Sequence, residues 1–190
     1  MYTPAEGRLL GLRNLGKNVR IHRTALFFNP QHVDIGDNSR IDAFTIITGS
    51  EAGVSIGRHV HIAAGAYLFG GGGISVHDFA GISCRTILLS SNDDYSGRFL
   101  TGPTIPEKFT QVTRSRITIG RHAVIGAACV VLPGVEIGDG AAVGAQSLVK
   151  ANVDPFTIVA GSPLRVLRKR DQRLLELEQL LSLDEDGLGT

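Results

Sequence analysis

ITIGRHAVIGAACVVLPGVEIGDGAAVGAQSLVK, residues Ile117 to Lys150, decides the fold of this chain. An aliphatic residue stands at every sixth position of the stretch: Ile119, Ile125, Val131, Ile137, Val143 and Val149. Four residues after each of the first five stands a second small or apolar residue: Ala123, Cys129, Val135, Ala141 and Ser147. A period of six fits neither the helical repeat near 3.6 nor the alternation of a half-buried strand. It predicts a repeat array in which a short strand and a corner recur every six residues.

The same period runs backward through the chain in sets of three aliphatic or aromatic residues. The sets are Leu15, Ile21, Phe27; Ile35, Ile41, Ile47; Ile56, Ile62, Leu68; and Val76, Ile82, Leu88. Three steps of six make one turn of a triangular solenoid, and each inward file fixes the register because a slip would expose it. The sequence therefore predicts an all-β parallel β-helix of about six triangular coils, with neighbouring strands about 4.8 Å apart.

Length and charge restrict the domain organisation and the partners. The 190 residues fit one domain with a tail, and we expect a β-helix over 1–160 and a basic turn with a helix over 161–190. The net charge of +1 predicts neither a nucleic-acid nor a membrane partner. The chain starts MYTPAEGRLL, without an apolar signal segment, and has only two cysteines, Cys84 and Cys129. These features favour a cytoplasmic protein with reduced thiols.

Two segments interrupt the period. The segment 89–116 is polar and too long for a corner, which is typical of a functional loop. Its apolar residues Tyr95, Phe99, Ile105 and Phe109 predict an ordered arm that packs on another subunit. The run from Gly70 to Gly73 falls where two sets join, so a compact corner is favoured over a phosphate loop, because no GK[ST] follows it.

The end of the chain combines a basic run with an amphipathic pattern. RDQRLLELEQLLSLDEDG predicts a helix with Leu174, Leu177 and Leu181 on one face. Basic residues lie near the start of this helix, where the helix dipole disfavours them. They are therefore either placed for an anionic ligand or part of a solvated basic turn.

The hexads of residues 117–150, followed by GSPLRVLRKR, resemble the hexapeptide-repeat acyltransferases. The resemblance implies a left-handed parallel β-helix, a homotrimer with each active site between two prisms, and an acyl-CoA donor. SSNDDYSG with TGPTIP is further similar to sugar acetyltransferases of the dTDP-4-amino-4,6-dideoxyglucose type. It implies transfer from acetyl-CoA to the amine of a nucleotide-linked amino sugar, in bacterial surface-polysaccharide synthesis and without a metal.

The candidate catalytic residues follow from this resemblance. The family's usual histidine lies just after the fourth set, and the corresponding place, five residues after Leu88, holds Asp93. An amine needs a proton acceptor rather than a strong base, so an aspartate there favours an amino acceptor. Asn92 and Asp94 are candidates for orienting the acceptor, although the three residues also suit a solvated turn. His122, in the first coil after the loop, is a further catalytic candidate.

The candidate cofactor-binding residues lie in the late coils and the basic ending. Small residues there leave room for a long thin ligand, and arginines can grip its phosphates. The expected CoA contacts are Gly126, Ala127, Gly144, Ala145, Lys150, Arg165 and Arg168.

Other functions remain as alternatives. The same fold serves sugar O-acetyltransferases, and a repeat scaffold without catalytic activity is a third interpretation. A zinc carbonic anhydrase needs histidines that converge from adjacent coils. His59, Phe79 and His122 instead form one outward column with the two histidines about 10 Å apart, too far for shared ligation. An ice-binding surface would need threonine ladders, which the sequence lacks.

Overall fold

Three parallel sheets form the sides of a prism in the computed structural model, which describes residues 1–185. Face A consists of β1 (Asn14–Leu15), β4 (Val33–Ile35), β7 (Val54–Ile56), β10 (Ile74–Val76), β15 (Ile117–Ile119) and β18 (Glu136–Ile137). Face B consists of β2 (Arg20–Ile21), β5 (Arg40–Ile41), β8 (His61–Ile62), β11 (Gly81–Ile82), β16 (Val124–Ile125), β19 (Ala142–Val143), β21 (Thr157–Ala160) and β22 (Arg165–Lys169). Face C consists of β3 (Leu26–Phe28), β6 (Ile46–Thr48), β9 (Tyr67–Phe69), β12 (Ile87–Leu89), β17 (Val130–Val131) and β20 (Leu148–Val149).

The chain visits the faces in the order A, B, C, so each group of three strands is one coil. Coil 1 holds β1–β3, coil 4 holds β10–β12, and coil 6 holds β18–β20. Strand β21 adds a partial seventh turn on face B, and β22 folds back on it as an antiparallel strand. The boundary expected at residue 160 falls in this hairpin, and the five residues after 185 of the expected C-terminal segment lie outside the described part.

The inward files form the core. All eighteen aliphatic and aromatic positions read from the period point inward, and all are buried except Leu15 and Phe27 of coil 1, which are partly buried. The second small position is closed as well: Ala123, Cys129, Val135, Ala141 and Ser147 are 2 % exposed or less. The six-residue period therefore reports the true repeat, because each coil buries one large and one small side chain per strand.

The predicted loop is an ordered arm that leaves face C and returns to face A. Its stem is a short antiparallel pair, β13 (Ser91–Asn92) with β14 (Thr113–Arg114). A 3₁₀ turn (Glu107–Phe109) lies further out, and the Leu100 amide donates to the Phe109 carbonyl at 2.9 Å. Glycine is needed beneath the stem, because a Cβ at Gly72 would lie 2.3 Å from the Ser90 carbonyl oxygen.

Short helices flank the prism at both ends. Helix α1 (Pro4–Arg8) begins with a capping box between Thr3 and Glu6, and a 3₁₀ turn (Pro30–His32) follows coil 1. The hydrogen bonds that Thr3 donates and the ion pair with Arg23 lower the pKa of Glu6 to about 2. No helix among the described residues is long and apolar enough to cross a bilayer.

Helix α2 (Leu174–Glu185) packs on the prism differently from the expected leucine face. Leu177 and Leu181 remain 54 % and 39 % exposed, whereas Glu178 is 7 % exposed. The Glu178 carboxylate accepts from Arg121 and lies 2.7 Å from Nε2 of His122. A buried carboxylate therefore holds the helix on the prism through Arg121 and His122, and Leu177 and Leu181 remain on the outside.

Candidate active site

The two aspartates of the candidate site directly follow the first strand of the loop stem and have different environments. Asp94 is turned into its own loop and accepts from the amides of Ser96, Arg98 and Phe99 and from the Ser96 hydroxyl. The hydrogen bonds from Ser96, with those from the two other amides, lower the pKa of Asp94. Its carboxylate therefore stabilises the loop turn.

Asp93 is the aspartate with a free carboxylate. It is exposed and makes no side-chain hydrogen bond among the residues that the structure describes. It lines a cavity of about 490 Å³ within the arm, together with Ile105, Glu107 and Arg114. Asn92 is held by the stem, where its backbone pairs with Thr113. Of the three neighbouring candidates, Asp93 is thus the one that can receive a proton from a ligand.

His122 lies at a different corner of the prism. It occupies the turn between β15 and β16, where faces A and B meet, whereas the loop leaves at the corner of faces C and A. It is buried, its ring stacks on Phe79, and Nε2 pairs with Glu178. The structure therefore does not bring His122 together with Asp93 in one chain. The predicted column of His59, Phe79 and His122 is present, but His122 is buried against Glu178 of α2 and does not point outward as expected.

Four expected CoA contacts lie together where faces B and C meet. Gly126, Ala127, Gly144 and Ala145 follow β16 and β19, in coils 5 and 6. Both glycines also pack between coils: a Cβ at Gly126 would lie 2.5 Å from the Ala145 nitrogen, and one at Gly144 would lie 2.7 Å from the Ala160 Cβ. Even a methyl group would clash at both positions, so the close packing of the coils requires glycine there.

The basic ending continues the same region of face B. Arg165 pairs with Ala160, and Arg168 pairs with Ile158, with a bulge between them. The bulge places both arginines on one side of β22, because directly opposed residues of paired strands share a face. Lys150 and Arg165 line a cavity of about 290 Å³ beside the β21–β22 hairpin. Arg170 differs, since its guanidinium donates to the carbonyls of His122 and Gly140 at 2.9 and 3.0 Å.

Among the described residues, no group of three histidine, cysteine or acidic side chains could hold a metal ion. Cys129 is buried, and this burial raises the pKa of its thiol, whereas Cys84 is exposed at the corner of faces B and C.

Family models match two parts of the repeat. Residues 116–151 match the model of the bacterial transferase hexapeptide (six repeats), and residues 33–69 match the hexapeptide repeat of succinyl-transferase. The chain is 37 % identical over 171 residues to a dTDP-4-amino-4,6-dideoxy-D-glucose acyltransferase of Escherichia coli, with 90 % of this chain and 89 % of the relative covered.

Solved structures agree with these matches. The chain is 41 % identical to AntD, an N-acyltransferase from Bacillus cereus in complex with dTDP and 3-hydroxybutyryl-CoA, with 97 % of each chain covered and a TM-score of 0.93. A variant of AntD in which cysteine replaces a serine has been solved in complex with dTDP-4-amino-4,6-dideoxyglucose and coenzyme A. This chain is 42 % identical to it, with 94 % of each chain covered and a TM-score of 0.90.

The chain belongs to the hexapeptide-repeat acyltransferase family. The fold class expected from the sequence, a left-handed parallel β-helix with a protruding loop and a C-terminal helix, is confirmed. The expected class of enzyme, an acyltransferase with a CoA thioester as donor, is confirmed as well.

Sequence reasoning missed the outer surface of face C in this acyltransferase. The residues that flank each inward side chain on face C are mostly apolar: Leu26, Phe28, Ile46, Tyr67, Phe69, Ile87, Leu89, Val130, Leu132 and Leu148. The corresponding outer positions of face A are polar: Asp34, Ser55, Ser75, Thr118 and Glu136. The signal was available, because the third strand of almost every coil reads as an apolar run on both of its faces.

Proposed function

We propose that this protein transfers an acetyl group from acetyl-CoA to the amine of a nucleotide-linked amino sugar of the dTDP-4-amino-4,6-dideoxyglucose type. The observation that carries the proposal is the similarity to AntD, which spans nearly the whole of both chains and whose structures hold dTDP, the amino sugar nucleotide and CoA. The acetylated sugar would serve surface-polysaccharide synthesis in the cytoplasm.

The proposed reaction uses Asp93 as the proton acceptor. The neutral amine attacks the thioester carbonyl carbon, which forms the C–N bond and a tetrahedral intermediate. Collapse of the intermediate breaks the C–S bond and leaves the amide. The proton lost by the nitrogen passes to the Asp93 carboxylate and then to the departing sulfur, so CoA leaves as a thiol. Asp93 suits this role because its carboxylate makes no hydrogen bond with the residues that the structure describes, unlike that of Asp94.

The donor is proposed to lie along the corner of faces B and C in coils 5 and 6. The small residues Gly126, Ala127, Gly144 and Ala145 allow the pantetheine arm to approach the backbone closely. The phosphates of CoA would then reach Arg165 and Arg168, which share one side of β22, and Lys150 beside them. The thioester would point toward coil 4, where the chain enters the loop.

We further propose that the enzyme is a homotrimer built on face C. Its row of apolar side chains is larger than the scattered apolar residues normal for a monomer surface. The arm adds exposed Tyr95, Phe99 and Phe109, at 88 %, 41 % and 50 %. If face C of three prisms turns toward a threefold axis, the C–A corner of one chain lies beside the B–C corner of the next. The loop of one chain would then close over the donor corner of its neighbour.

A matched pair of acceptors tests the reaction. The enzyme is incubated with acetyl-CoA and either dTDP-4-amino-4,6-dideoxyglucose or the nucleotide sugar with a 4-hydroxyl group. We expect thiol release and an N-acetylated product with the amine only. Preferred transfer to the hydroxyl would support the sugar O-acetyltransferase instead, and release with neither would favour the scaffold interpretation. 3-Hydroxybutyryl-CoA in place of acetyl-CoA measures the preference for acyl chain length.

A further inference from the structure

The corner of faces A and B contains a stack of side chains that runs from coil 1 to coil 5, and the same position in coil 6 is Gly140. Residues at this corner share the left-handed conformation, among them Asn38, His59, Phe79 and His122. The rings of His59 and Phe79 lie 4.7 Å apart, and those of Phe79 and His122 lie 5.0 Å apart. The Phe79 ring therefore fills the space between His59 and His122, which are two coils apart, and it stacks on both.

The corner of faces B and C repeats this arrangement with one position empty. Phe44, Gly65 and Arg85 occupy it in coils 2, 3 and 4, all with positive φ. Glycine at the middle position contributes no side chain, and a Cβ there would meet only the Arg85 Cγ, at 3.7 Å. The result is a cavity of about 480 Å³, which Tyr67 and Ile87 also line. We refer to the space between Phe44 and Arg85 as the ring slot.

Among residues 1–185, the side chains of Phe44 and Arg85 make no ring contact, hydrogen bond or ion pair. The Phe44 side chain is 67 % exposed. Its backbone has the left-handed conformation, which costs a residue with a side chain about 1–2 kcal/mol. The Arg85 side chain makes no hydrogen bond or ion pair with any described residue. An unpaired guanidinium and an aromatic face, two coils apart, can hold a planar ring by stacking and by cation–π attraction.

We propose that the ring slot binds the thymine base of the acceptor nucleotide, a proposal that rests on the function proposed above. The base would take the place that Phe79 takes at the other corner, between Phe44 and Arg85. Arg85 is also near enough to the base to contact the adjoining phosphates, which carry the charge that a free guanidinium binds best.

The position of the slot favours the thymine base over the adenine of CoA. The proposed donor residues lie in coils 5 and 6 and in β22, on one side of coil 4. The ring slot lies in coils 2 to 4, along the same corner. With the thioester at coil 4, the donor extends along the corner toward coil 6. The acceptor nucleotide extends from coil 4 toward coil 2.

A single tryptophan tests the slot directly, because the natural chain contains none. Phe44→Trp places an indole on the wall of the slot, and Phe79→Trp places one in the filled stack as the matched control. We expect dTDP to quench the fluorescence of Phe44→Trp in a saturable manner and to leave Phe79→Trp unchanged. CoA should quench neither. Quenching of Phe44→Trp by CoA but not by dTDP would overturn the assignment.

Filling the slot gives a second measurement by titration calorimetry. Gly65→Phe should weaken dTDP binding by about 10-fold or more while the Kd of CoA stays the same. Gly65→Ala imposes the same backbone strain with a single methyl group, so its loss should be several-fold smaller. Unchanged dTDP affinity in folded Gly65→Phe would overturn the slot but leave the transferase function intact. Failure of the natural enzyme to bind dTDP or to transfer an acyl group would overturn both.

Discussion

At the scale of single residues, two adjacent aspartates have different environments. Asp94 accepts hydrogen bonds from three backbone amides and a hydroxyl group, which lower its pKa, whereas the Asp93 carboxylate faces a cavity without a partner among the described residues. A carboxylate that many donors stabilise is a weaker base. The pair therefore separates a loop-building residue from a proton acceptor.

Asp93→Asn should lower kcat by about 100-fold and leave the Kd of acetyl-CoA nearly unchanged, because only proton transfer is lost. Asp94→Asn is the matched control: it should disturb the arm, which hydrogen exchange of residues 94–99 would detect, and affect KM as well as kcat. Steady-state kinetics with the amino sugar nucleotide measures both. Near-natural kcat in Asp93→Asn would remove this aspartate from the mechanism.

At the scale of elements, the contact of α2 with the prism depends on one carboxylate. Burial acts to raise the pKa of Glu178, but the hydrogen bonds from Arg121 and His122 outweigh it and lower the pKa. A carboxylate whose pKa is lower in the folded state stabilises the fold above the pKa of the unfolded chain. This stabilisation is lost as the pH falls through the folded-state pKa.

Glu178→Gln should release α2 and reduce the free energy of unfolding by roughly 1–3 kcal/mol, since Arg121 and His122 lose a buried partner. Chemical denaturation measures the loss, and faster amide exchange in residues 174–185 locates it. Glu176→Gln, an exposed position on the same helix, should change neither. In the natural chain, amide exchange in residues 174–185 should also accelerate on acidification. If the helix stays protected from exchange in Glu178→Gln, contacts other than Glu178 hold it on the prism.

Strand β22 is the element that we expect to bind the CoA phosphates. Replacing both Arg165 and Arg168 by alanine should raise the KM for acetyl-CoA about 10-fold with little effect on kcat, because uniform binding is lost. Arg20→Ala, an exposed arginine of coil 1 on the same face, is the control. If the double variant keeps the natural KM, the phosphates bind elsewhere.

At the scale of the whole molecule, the apolar surface of face C should determine the assembly. Phe69→Asp and Leu89→Asp place charges in the middle of this surface and should convert a trimer to monomers. Thr118→Asp, on the polar face A, should leave the trimer intact. Light scattering at micromolar concentration measures the mass, and circular dichroism checks the fold. A natural enzyme that is already monomeric would contradict the assembly.

The sequence predicted the repeat and the inward files because a six-residue period has one structural solution. It located the loop because the period stops after Leu88 and resumes at Ile119, and the apolar residues of the loop predicted an ordered arm. It could not show that Glu178 holds α2, since a lone glutamate among leucines looks like an exposed residue of an amphipathic helix. Phe44, Gly65 and Arg85 were missed because corner positions follow no hydrophobic pattern, and only stacking of the coils brings them together.

The central claim is that two chains form each acyl-transfer site: one contributes its loop, and the next contributes its ring slot. Two variants that are each impaired when the amino sugar nucleotide is kept below saturation test it: Asp93→Asn disables the loop, and Gly65→Phe fills the ring slot. Trimers formed from an equal mixture should regain about one quarter of the natural activity, because a random threefold arrangement pairs a natural loop with a natural slot at that frequency. Mixed trimers that are no more active than their parents would show that loop and slot act within one chain, and the account would be wrong.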